Sequence, residues 1–323
     1  MYTKKLPTLL HPKTGKIHPT FWATGVKSGR FSVTNPPMQG ISRDDDADSI
    51  VKIRNIFVAD KGYLFTSADY SQIELRIPAS VAGEMTLCDA YKEGTIDVHY
   101  ITAQELFGVK KPTAGQRSLA KTVNFSVLTG ISAFTLAARN NLTVDYAQKL
   151  IDKWFAARPQ IKAFIQYIGA QVIRDGYMET YFGRIRPFSD AKRPSETTIL
   201  KKISYFNNQA WSRGKSDEEI ESIAIGAIIN ECKRKALSHY IQGTAADLMK
   251  ITITNVYNAI QKERMPLQLI LTVHDELLFH HIKSIRDEAH DLIQEYMTIP
   301  KFGPNNVPIP VGIGSAKRWG DCK

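Results

Sequence analysis

The sequence has few cysteines and no long apolar run. Its three cysteines, Cys88, Cys232 and Cys322, are widely separated and form no CxxC pair, so neither a disulfide framework nor a zinc site is indicated. No stretch approaches the roughly 20 apolar residues of a membrane span, and the first residues hold no apolar run of signal-peptide length. We therefore expect a soluble protein of a reducing cytoplasm.

Acidic residues are also in deficit. Lys and Arg number 42 against 32 Asp and Glu, which gives a net charge of +10 at pH 7. This balance favours polyanionic partners such as nucleic acid, although charge alone identifies none. With 323 residues, 43% of them hydrophobic, the chain is long enough for one large globular domain or two ordinary ones.

The first part of the chain combines an irregular arm with one clear strand. Residues 1–50 are rich in Gly, Pro, Ser, Thr and Lys, which predicts an extended basic arm with little regular structure. The short, partly alternating segment 63–69 predicts a strand that ends at Asp69. A helix is expected to follow through Glu74, and Pro78 is expected to bend or restart it.

The remainder is predicted to be mainly helical up to a final hairpin. Apolar spacings of three and four predict helices over 84–180, and they return at 232–260. Between them, the polar stretch at 189–222 predicts a surface excursion. A β-hairpin with His274-Asp275 at its tip is predicted by the two β-prone halves of LQLILTVHDELLFHHI. The pair His280-His281 has no ligand partner at suitable spacing and is interpreted as a surface pair.

Two aspartates occupy rigid positions in this scheme, Asp69 at a strand end and Asp275 at a hairpin tip. Each alone is more often a turn residue, but the two carboxylates would meet if their strands are neighbours in one sheet. Nucleotidyl transfer needs two divalent ions about 4 Å apart, one activating the attacking hydroxyl and one holding the triphosphate. Mg²⁺ accepts such sparse protein ligation because it keeps waters and substrate phosphates.

A second candidate group lies on one predicted helix face. Arg117, Lys121 and Phe125 are four residues apart and span about 12 Å, close to the reach of a nucleotide from triphosphate to base. Cations would meet the phosphates, and the aromatic ring would meet the sugar and base. Arg117 also follows the predicted helix start at Pro112-Thr113, where free amides favour anions.

Five segments resemble motifs of the DNA polymerase I family, also called family A. The first and third motifs are resembled by DYSQIELR at 69–76 and VHDE at 273–276, and the second by RSLAKTVNFSVLTG at 117–130. The minor-groove segment is resembled by QGTAAD at 242–247, and GRFSVTNPPMQGI at 29–41 also fits. The resemblance covers nearly the whole chain in family order, which is a very specific signal.

The resemblance implies an α+β fold, a polymerase palm with an antiparallel β-sheet and a mainly helical fingers subdomain. The palm is expected at 1–83, with the DNA-contacting arm, and at 231–323, with the catalytic hairpin. The fingers are expected at 84–230 and include the excursion at 189–222. Thumb and exonuclease domains are expected to be absent, because neither fits ahead of Gly29.

The resemblance also assigns the chemical centre. It implies two Mg²⁺ ions, replaceable by Mn²⁺, held by Asp69, Asp275 and the backbone carbonyl of Tyr70. Glu276 is implied to be a catalytic carboxylate beside the metals. Two cations on the helix face are implied to take part in catalysis and in nucleotide binding, namely Arg117 and Lys121.

Further residues match positions that contact the substrates. Glu74 matches the side chain that lies beneath the incoming sugar and leaves no room for a 2′-hydroxyl, which implies DNA as the product. The other implied contacts with the deoxynucleotide come from Gln72, His99 and Phe125. The implied contacts with DNA come from Arg30, Thr129, Gly130, Arg234 and Gln242. The family has a tyrosine that stacks beside the templating base where this chain has Thr129, so a stacking surface is lost there.

The implied reaction is template-directed DNA synthesis, adding deoxynucleotides to a primer 3′ end in replication or repair. The implied partners are primer-template DNA and dNTPs, and no membrane. Two alternatives stay open. A single-subunit RNA polymerase relative is disfavoured by Glu74. A catalytically weak palm subunit with a DNA-binding or scaffold role is disfavoured by four intact residues, Asp69, Asp275, Lys121 and Arg117.

The missing thumb leaves two readings of the chain itself. It is either the C-terminal piece of a longer protein or a compact polymerase, phage-like or from a mobile element. The compact form would take a thumb, clamp or exonuclease from a protein partner. Its expected location is the cytoplasm, or the host cytoplasm for a phage-encoded protein. The excursion at 189–222 is longer than usual in the family and suggests a lineage-specific contact surface.

Overall fold

A computed structural model describes residues 5–41, 53–94 and 97–322. Parts of the predicted arm, residues 1–4 and 42–50, therefore lie outside the described chain. Its described part contains two three-residue strands and short turns of 3-10 helix, in agreement with the expected scarcity of regular structure.

The strands of the described residues are short except in one sheet. They are β1 Thr20–Trp22, β2 Ser32–Thr34, β3 Tyr63–Tyr70, β4 Tyr177–Glu179, β5 Ile185–Pro187, β6 Leu267–Val273, β7 Glu276–Ile282, β8 Ile299–Phe302, β9 Val307–Ile309 and β10 Val311–Ala316. The helices are α1 Ile73–Ala82, α2 Met85–Glu93, α3 Val98–Phe107, α4 Ala114–Leu128, α5 Ala133–Asn140, α6 Val144–Ala156, α7 Pro159–Asp175, α8 Ser189–Lys192, α9 Glu196–Asn207, α10 Asp217–Glu263 and α11 Arg286–Met297. None of these helices is long and apolar enough to cross a membrane.

The chain folds into two compact units. The sheet unit comprises residues 1–73, 245–302 and 308–323, and the helical unit comprises residues 74–244 and 303–307. The mixture of helices and antiparallel sheet is the α+β fold predicted from the sequence. The names palm and fingers, with their predicted boundaries, stay predictions for these two units.

The unit boundaries lie ten residues before and fourteen residues after the two predicted ones, 83/84 and 230/231. The first shift has a clear cause, because Leu75 and Ala79 of α1 belong to the buried core of the helical unit. Helix α1 also continues through Pro78 without a restart, and the bend that the sequence predicts there stays a prediction.

The sheet unit is built on four antiparallel strands in the order β10-β3-β7-β6. Strand β7 lies between β3 and β6 and buries six of its seven residues, including Glu276, His280 and His281. Helix α11 packs against β7 and β10. A hydrophobic core of the sheet unit brings residues of the sheet together with residues of the arm and of the C-terminal segment. Its buried members are Val33, Met38, Ile41, Ala59, Phe65, Leu271, Val273, Leu278 and Trp319.

His280 and His281 are not a surface pair, contrary to the interpretation of the sequence. Both lie within β7, and their exposed fractions are 7% and 0%. The His281 ring lies between the Thr66 hydroxyl at 2.7 Å and the Ile282 carbonyl at 2.8 Å. The His280 ring stacks on Tyr63 with centroids 4.7 Å apart. The two hydrogen-bond partners satisfy the His281 imidazole, and His280 Nε2 lies 3.5 Å from the Asp60 carboxylate. The sequence pattern did not indicate this burial.

The polar stretch at 189–222 is more ordered than a simple excursion. It contains α8, α9 and the start of α10, a helix of 47 residues that begins at Asp217. The sequence predicted a helix only from residue 232. A capping box starts α10, because the Glu219 amide donates to the Ser216 hydroxyl and the Ser216 amide donates to the Glu219 carboxylate. Acidic residues in that first turn also suit the helix dipole.

Candidate active site

In the sheet unit, Asp69 lies on β3, and Asp275 lies in the β6–β7 turn, immediately before β7, the hydrogen-bonded neighbour of β3. Asp69 of β3 is the register partner of Glu276, the first residue of β7. One residue further, the Tyr70 amide donates to the Asp275 carbonyl at 3.2 Å. The prediction that the strand end and the hairpin tip are neighbours in one sheet is therefore confirmed.

The backbone around these aspartates adopts unusual conformations. The β6–β7 turn consists of His274 and Asp275, and His274 has a φ of +57°, a conformation that such turns usually give to glycine. Gln72, between β3 and α1, also has a positive φ, +54°. Non-glycine residues in this region are uncommon and concentrate at functional sites. Their two positions flank Asp275 and follow Asp69 closely.

Glu276 is enclosed by hydrogen-bond donors. Its Oε2 accepts from Arg54 Nη1 at 2.8 Å, and its Oε1 accepts from the Ser67 hydroxyl at 2.6 Å. Oε1 also accepts from Trp319 Nε1 at 2.9 Å. Burial by itself raises the pKa of Glu276, but the Arg54 charge and the three donors lower it below its ordinary value. The side chain is an ionised carboxylate whose two oxygens are already used within the protein.

Arg54 completes this network. Its guanidinium lies 4.2 Å from the centre of the Trp319 ring, and its Nη2 donates to the Ile41 carbonyl at 3.3 Å. The ion pair with Glu276 is buried, with side-chain exposures of 8% and 3%. Removing one partner of such a pair is strongly destabilising, because the other charge stays buried. This cluster thus fixes the start of β7, immediately after Asp275.

The available donors fit a divalent ion with few protein ligands. Asp69 and Asp275 supply carboxylate oxygens, which hard cations such as Mg²⁺ prefer. Within residues 5–41, 53–94 and 97–322, no group of three or more His, Cys, Asp or Glu side chains is arranged to hold a metal. The two carboxylates suit an ion that completes its shell with water and substrate phosphates, as Mg²⁺ does.

In the helical unit, Arg117 and Lys121 lie exposed on α4. This helix begins with a capping box, in which the Gln116 amide donates to the Thr113 hydroxyl at 3.2 Å and the Thr113 amide donates to Gln116 Oε1 at 2.9 Å. The predicted helix start is confirmed. Arg117 Nε donates to the Asp97 carboxylate. Burial raises the pKa of Asp97, but the Arg117 hydrogen bond and nearby amides lower it below its usual value.

His99 is buried against α4. Its exposed fraction is 4%, and its ring centroid is 5.7 Å from that of Phe125. Its Nδ1 is 3.0 Å from the side-chain nitrogen of Asn124. The indole N–H of Trp154, which can only donate, is 2.6 Å from the Asn124 side-chain oxygen. Trp154 therefore fixes the orientation of the Asn124 amide, so the nitrogen of that amide faces His99.

This arrangement determines the tautomer of the imidazole. Because Asn124 donates to Nδ1, the neutral His99 ring carries its proton on Nε2. The pKa of His99 is lowered to about 4, mainly by burial and also by the charges of Lys121 and Arg117, while Asp97 opposes the shift. The ring is therefore neutral at pH 7, with Nε2–H as its remaining donor.

The lowered pKa predicts a pH dependence of stability. Above about pH 6.5 the His99 imidazole is neutral in both the folded and the unfolded chain. Between about pH 6.5 and pH 4 it is protonated in the unfolded chain but stays neutral in the folded chain. The free energy of unfolding should therefore fall as the pH drops through this window, by up to roughly 3 kcal/mol from this group. Urea denaturation at half-unit pH steps measures the slope. His99→Gln should flatten it, and an unchanged slope would contradict the assignment.

Four predicted site residues line one small cavity of the helical unit. They are Glu74, Phe125, Thr129 and Gln242, and Leu128, Ser238 and Ile241 complete the lining. Thr129 caps α4, and its hydroxyl donates to the Ser126 carbonyl at 2.8 Å. The structure thus brings together residues that are far apart in sequence, from α1, α4 and α10.

Two glycines allow close approaches around this cavity. Gly130 has a φ of +72°, and a Cβ there would lie 2.8 Å from Arg234 Cγ. A Cβ on Gly243 would lie 2.6 Å from Thr180 Cγ2, and Arg184 Nη2 donates to the Gly243 carbonyl at 3.0 Å. Glycine is thus needed beside Gln242 and beside Thr129, because any side chain would collide.

The remaining predicted residue, Arg30, is half-buried just before β2 in the sheet unit. Sequence reasoning missed the residues that hold the site residues in place, namely Arg54, Ser67, Trp319, Asn124 and Trp154. Of these residues, only Arg54 has a local signal of burial in the sequence, because it lies among the apolar residues Ile53 and Ile56.

Comparison with known proteins places the chain among DNA polymerases of one family. Residues 1–321 match the model of DNA polymerase family A. The chain is 36% identical over 321 residues to DNA polymerase I of Chloroflexus aurantiacus, covering 98% of this chain and 30% of that protein. It is 33% identical over 324 residues to the thermostable DNA polymerase I of Thermus aquaticus, covering 100% of this chain and 34% of that protein.

A solved structure gives the same result. The POL domain of Pol1 from M. smegmatis, in complex with DNA primer-template and dNTP, matches with a TM-score of 0.80 and 28% identity. The match covers 98% of this chain and 50% of that one. The chain thus spans about a third of the length of the curated relatives above. The ordered motifs, the sheet and these matches all lead to one assignment, and the chain belongs to DNA polymerase family A.

Proposed function

We propose that the chain carries out template-directed DNA synthesis, adding deoxynucleotides to a primer 3′ end. The observation that carries the proposal is the placement of Asp69 near the end of β3 and of Asp275 in the turn that leads into the neighbouring strand β7. The proposal is supported by membership of family A. It is also supported by the related M. smegmatis structure, which is a complex with DNA primer-template and dNTP. The test is primer extension on a defined template with each of the four dNTPs in turn.

Asp69, Asp275 and the backbone carbonyl of Tyr70 would hold two Mg²⁺ ions, or Mn²⁺ in their place. When bound, such ions activate the primer hydroxyl and stabilise charge on the triphosphate and the leaving pyrophosphate. The contribution of the protein is rigidity. Tyr70 is buried, and its hydroxyl lies 2.6 Å from that of Thr252 and donates to the Met297 carbonyl at 2.7 Å. The backbone next to Asp69 is thereby anchored through the Tyr70 side chain.

Glu276 acts in this proposal as a positioning residue. Both its oxygens accept hydrogen bonds from the protein, so the side chain is suited to holding the hairpin rather than to binding an ion. The ion pair with Arg54 keeps the negative charge of Glu276 compensated. Asp275, one residue earlier, is then presented on a turn that cannot shift easily.

The nucleotide is bound by groups of contrasting charge. Arg117 and Lys121 would contact the triphosphate, and the neutral His99 would donate from Nε2 to a phosphate oxygen. A neutral donor makes this contact independent of pH above about 5, because the pKa of His99 is about 4. Gln72 and Phe125 would complete the nucleotide contacts.

Contacts with primer-template DNA are proposed for Arg30, Thr129, Gly130, Arg234 and Gln242. Minor-groove acceptors are nearly the same for all correct base pairs, so Arg and Gln there can test pairing geometry without reading sequence. Two alternative readings, a scaffold subunit and an RNA polymerase, predict no extension and extension with ribonucleotides, respectively.

Glu74 is proposed to exclude ribonucleotides. It lines the small cavity with Phe125 and Gln242, where a side chain can block a 2′-hydroxyl. Glu74→Ala should reduce the preference for dNTP over rNTP by about 10- to 100-fold, the range that one steric contact supplies. Single-nucleotide incorporation with matched dCTP and CTP measures the ratio.

The matched control for this prediction is Glu93→Ala, which removes an exposed carboxylate at the end of α2. The control should keep the wild-type preference. If Glu74→Ala and wild type discriminate equally against CTP, Glu74 is not the residue that excludes the 2′-hydroxyl.

A further inference from the structure

The segment between α8 and α10 carries an exposed aromatic cluster. The aromatic cluster, defined as Tyr205, Phe206 and Trp211, lies at the end of α9 and in the 3-10 turn that follows. Phe206 is central, with its ring centroid 5.7 Å from that of Tyr205 and 5.1 Å from that of Trp211. Tyr205 and Trp211 are 59% and 47% exposed. The two outer rings thus present apolar surface to solvent.

The helix that carries this cluster has no core to explain it. No residue of α9 is buried, and Leu200 on the same helix is 57% exposed. Helices in proteins are mostly stabilised by burying one apolar face. Large side chains left exposed together on one element indicate a surface that contacts another molecule.

Basic residues outnumber acidic ones in the segment that holds the cluster, and four acidic residues, Asp217, Glu218, Glu219 and Glu221, follow at the start of α10. Between residues 192 and 215 the sequence has one acidic residue, Glu196, and six basic ones, which gives a net charge of +5. The basic residues are Lys192, Arg193, Lys201, Lys202, Arg213 and Lys215. Lys202 pairs with Glu231 at 3.2 Å.

Three cations remain available beside the rings. Lys201, Arg213 and Lys215 are exposed, and in the part of the chain that the structure describes they form no ion pair. Lys201 precedes Tyr205 by four residues on α9, so the two share a helix face. Arg213 follows Trp211 by two residues. Cations therefore accompany both exposed rings.

We propose that this surface binds single-stranded DNA, with bases stacked on Tyr205 and Trp211 and phosphates contacted by Lys201, Arg213 and Lys215. Exposed aromatic rings with cations beside them are the arrangement that binds single-stranded nucleic acid without sequence preference. A duplex is a poor occupant, because its bases are already stacked on each other. This inference rests on the proposed function, under which the unpaired template strand is the natural ligand.

Binding can be measured without catalysis. Fluorescence anisotropy of a labelled 16-nucleotide dT strand, without nucleotide or divalent ion, separates this proposal from the proposed function. Tyr205→Ala combined with Trp211→Ala should raise the Kd by about 30-fold or more, because two stacked bases are lost and each is worth at least about 1 kcal/mol. The matched control Tyr167→Ala, which removes a ring that is 58% exposed on α7, should change it little.

A second variant tests the cations. Combining Lys201→Ala, Arg213→Ala and Lys215→Ala should reduce the slope of log Kd against log salt by about 2, since each single-strand phosphate contact contributes roughly 0.7. Tyr205→Trp combined with Trp211→Tyr keeps both stacking surfaces and should bind like wild type. Single-nucleotide addition on a template with a one-nucleotide overhang should be unchanged in every variant.

Three outcomes would overturn the proposal. One is an aromatic variant that binds the dT strand as tightly as Tyr167→Ala. Another is a cation variant that keeps the full salt slope. The third is a wild-type chain that self-associates through this surface in light scattering, with the aromatic variant monomeric and its dT affinity unchanged, since that result assigns the surface to a protein partner.

Discussion

Asp69→Asn and Asp275→Asn should each reduce primer extension at least about 1,000-fold while leaving the affinity for primer-template DNA within about threefold of wild type. The carboxylate charge is what holds a divalent ion, and an amide of the same size cannot replace it. DNA affinity depends mainly on cations that contact phosphates, and these are untouched. Single-turnover extension with rapid quenching gives the rate, and filter binding gives the affinity.

The matched control is Asp291→Asn, an exposed carboxylate on α11, which should extend primers at the wild-type rate. Thermal unfolding of both site variants should stay close to wild type, because neither aspartate belongs to the buried core. Extension within tenfold of wild type by either Asp69→Asn or Asp275→Asn would remove the basis for a two-ion site.

Lys121→Ala should lower the rate of nucleotide addition by about 100- to 1,000-fold, the range expected when one preorganised charge on a transferring phosphoryl group is lost. Lys121 is exposed on α4 and lies one turn from Arg117, whose guanidinium is bonded to Asp97. Arg117 is therefore partly committed to the protein, whereas Lys121 is the stronger candidate for the triphosphate. The loss should appear in both kcat and the dNTP KM.

Lys149→Ala is the matched control, because Lys149 is an exposed lysine on α6 of the same unit. Its kinetic constants should equal those of wild type. Lys121→Arg keeps the charge and should recover part of the rate. A Lys121→Ala enzyme with unchanged dNTP kinetics would show that α4 does not contact the triphosphate.

The elements that carry Asp69 and Asp275 were predictable from local sequence. A short strand bounded by glycine and a hairpin with a two-residue tip both have strong local signatures. The start of α4 was equally readable, because Thr113 and Gln116 form a capping box within four residues. In each case the information lies in neighbouring residues, which is where sequence reasoning is reliable.

The groups that orient the site residues could not be predicted. Glu276 is held by Arg54, Ser67 and Trp319, which lie 222, 209 and 43 residues away. The tautomer of His99 depends on Trp154, through a single amide. These contacts form only in the folded tertiary structure, so no periodicity or spacing in the sequence predicts them.

Helix α10 illustrates a different limit. The sequence prediction places its first six residues, 217–222, in the polar excursion, because acidic residues dominate them. The same acids are favourable at a helix N-terminus, where Glu219 completes a capping box with Ser216. The signal is therefore local: the position of these acidic residues, and not their number, indicates the helix start.

Templated single-nucleotide addition under metal control tests the central claim most directly. The chain, in excess over a primer-template with one defined templating base, is mixed with each dNTP with and without Mg²⁺, and products are resolved by gel. The account predicts addition of the complementary nucleotide only, and only when the divalent ion is present. Addition that persists after the ion is chelated, or no addition of any nucleotide with Mg²⁺ present, would contradict it.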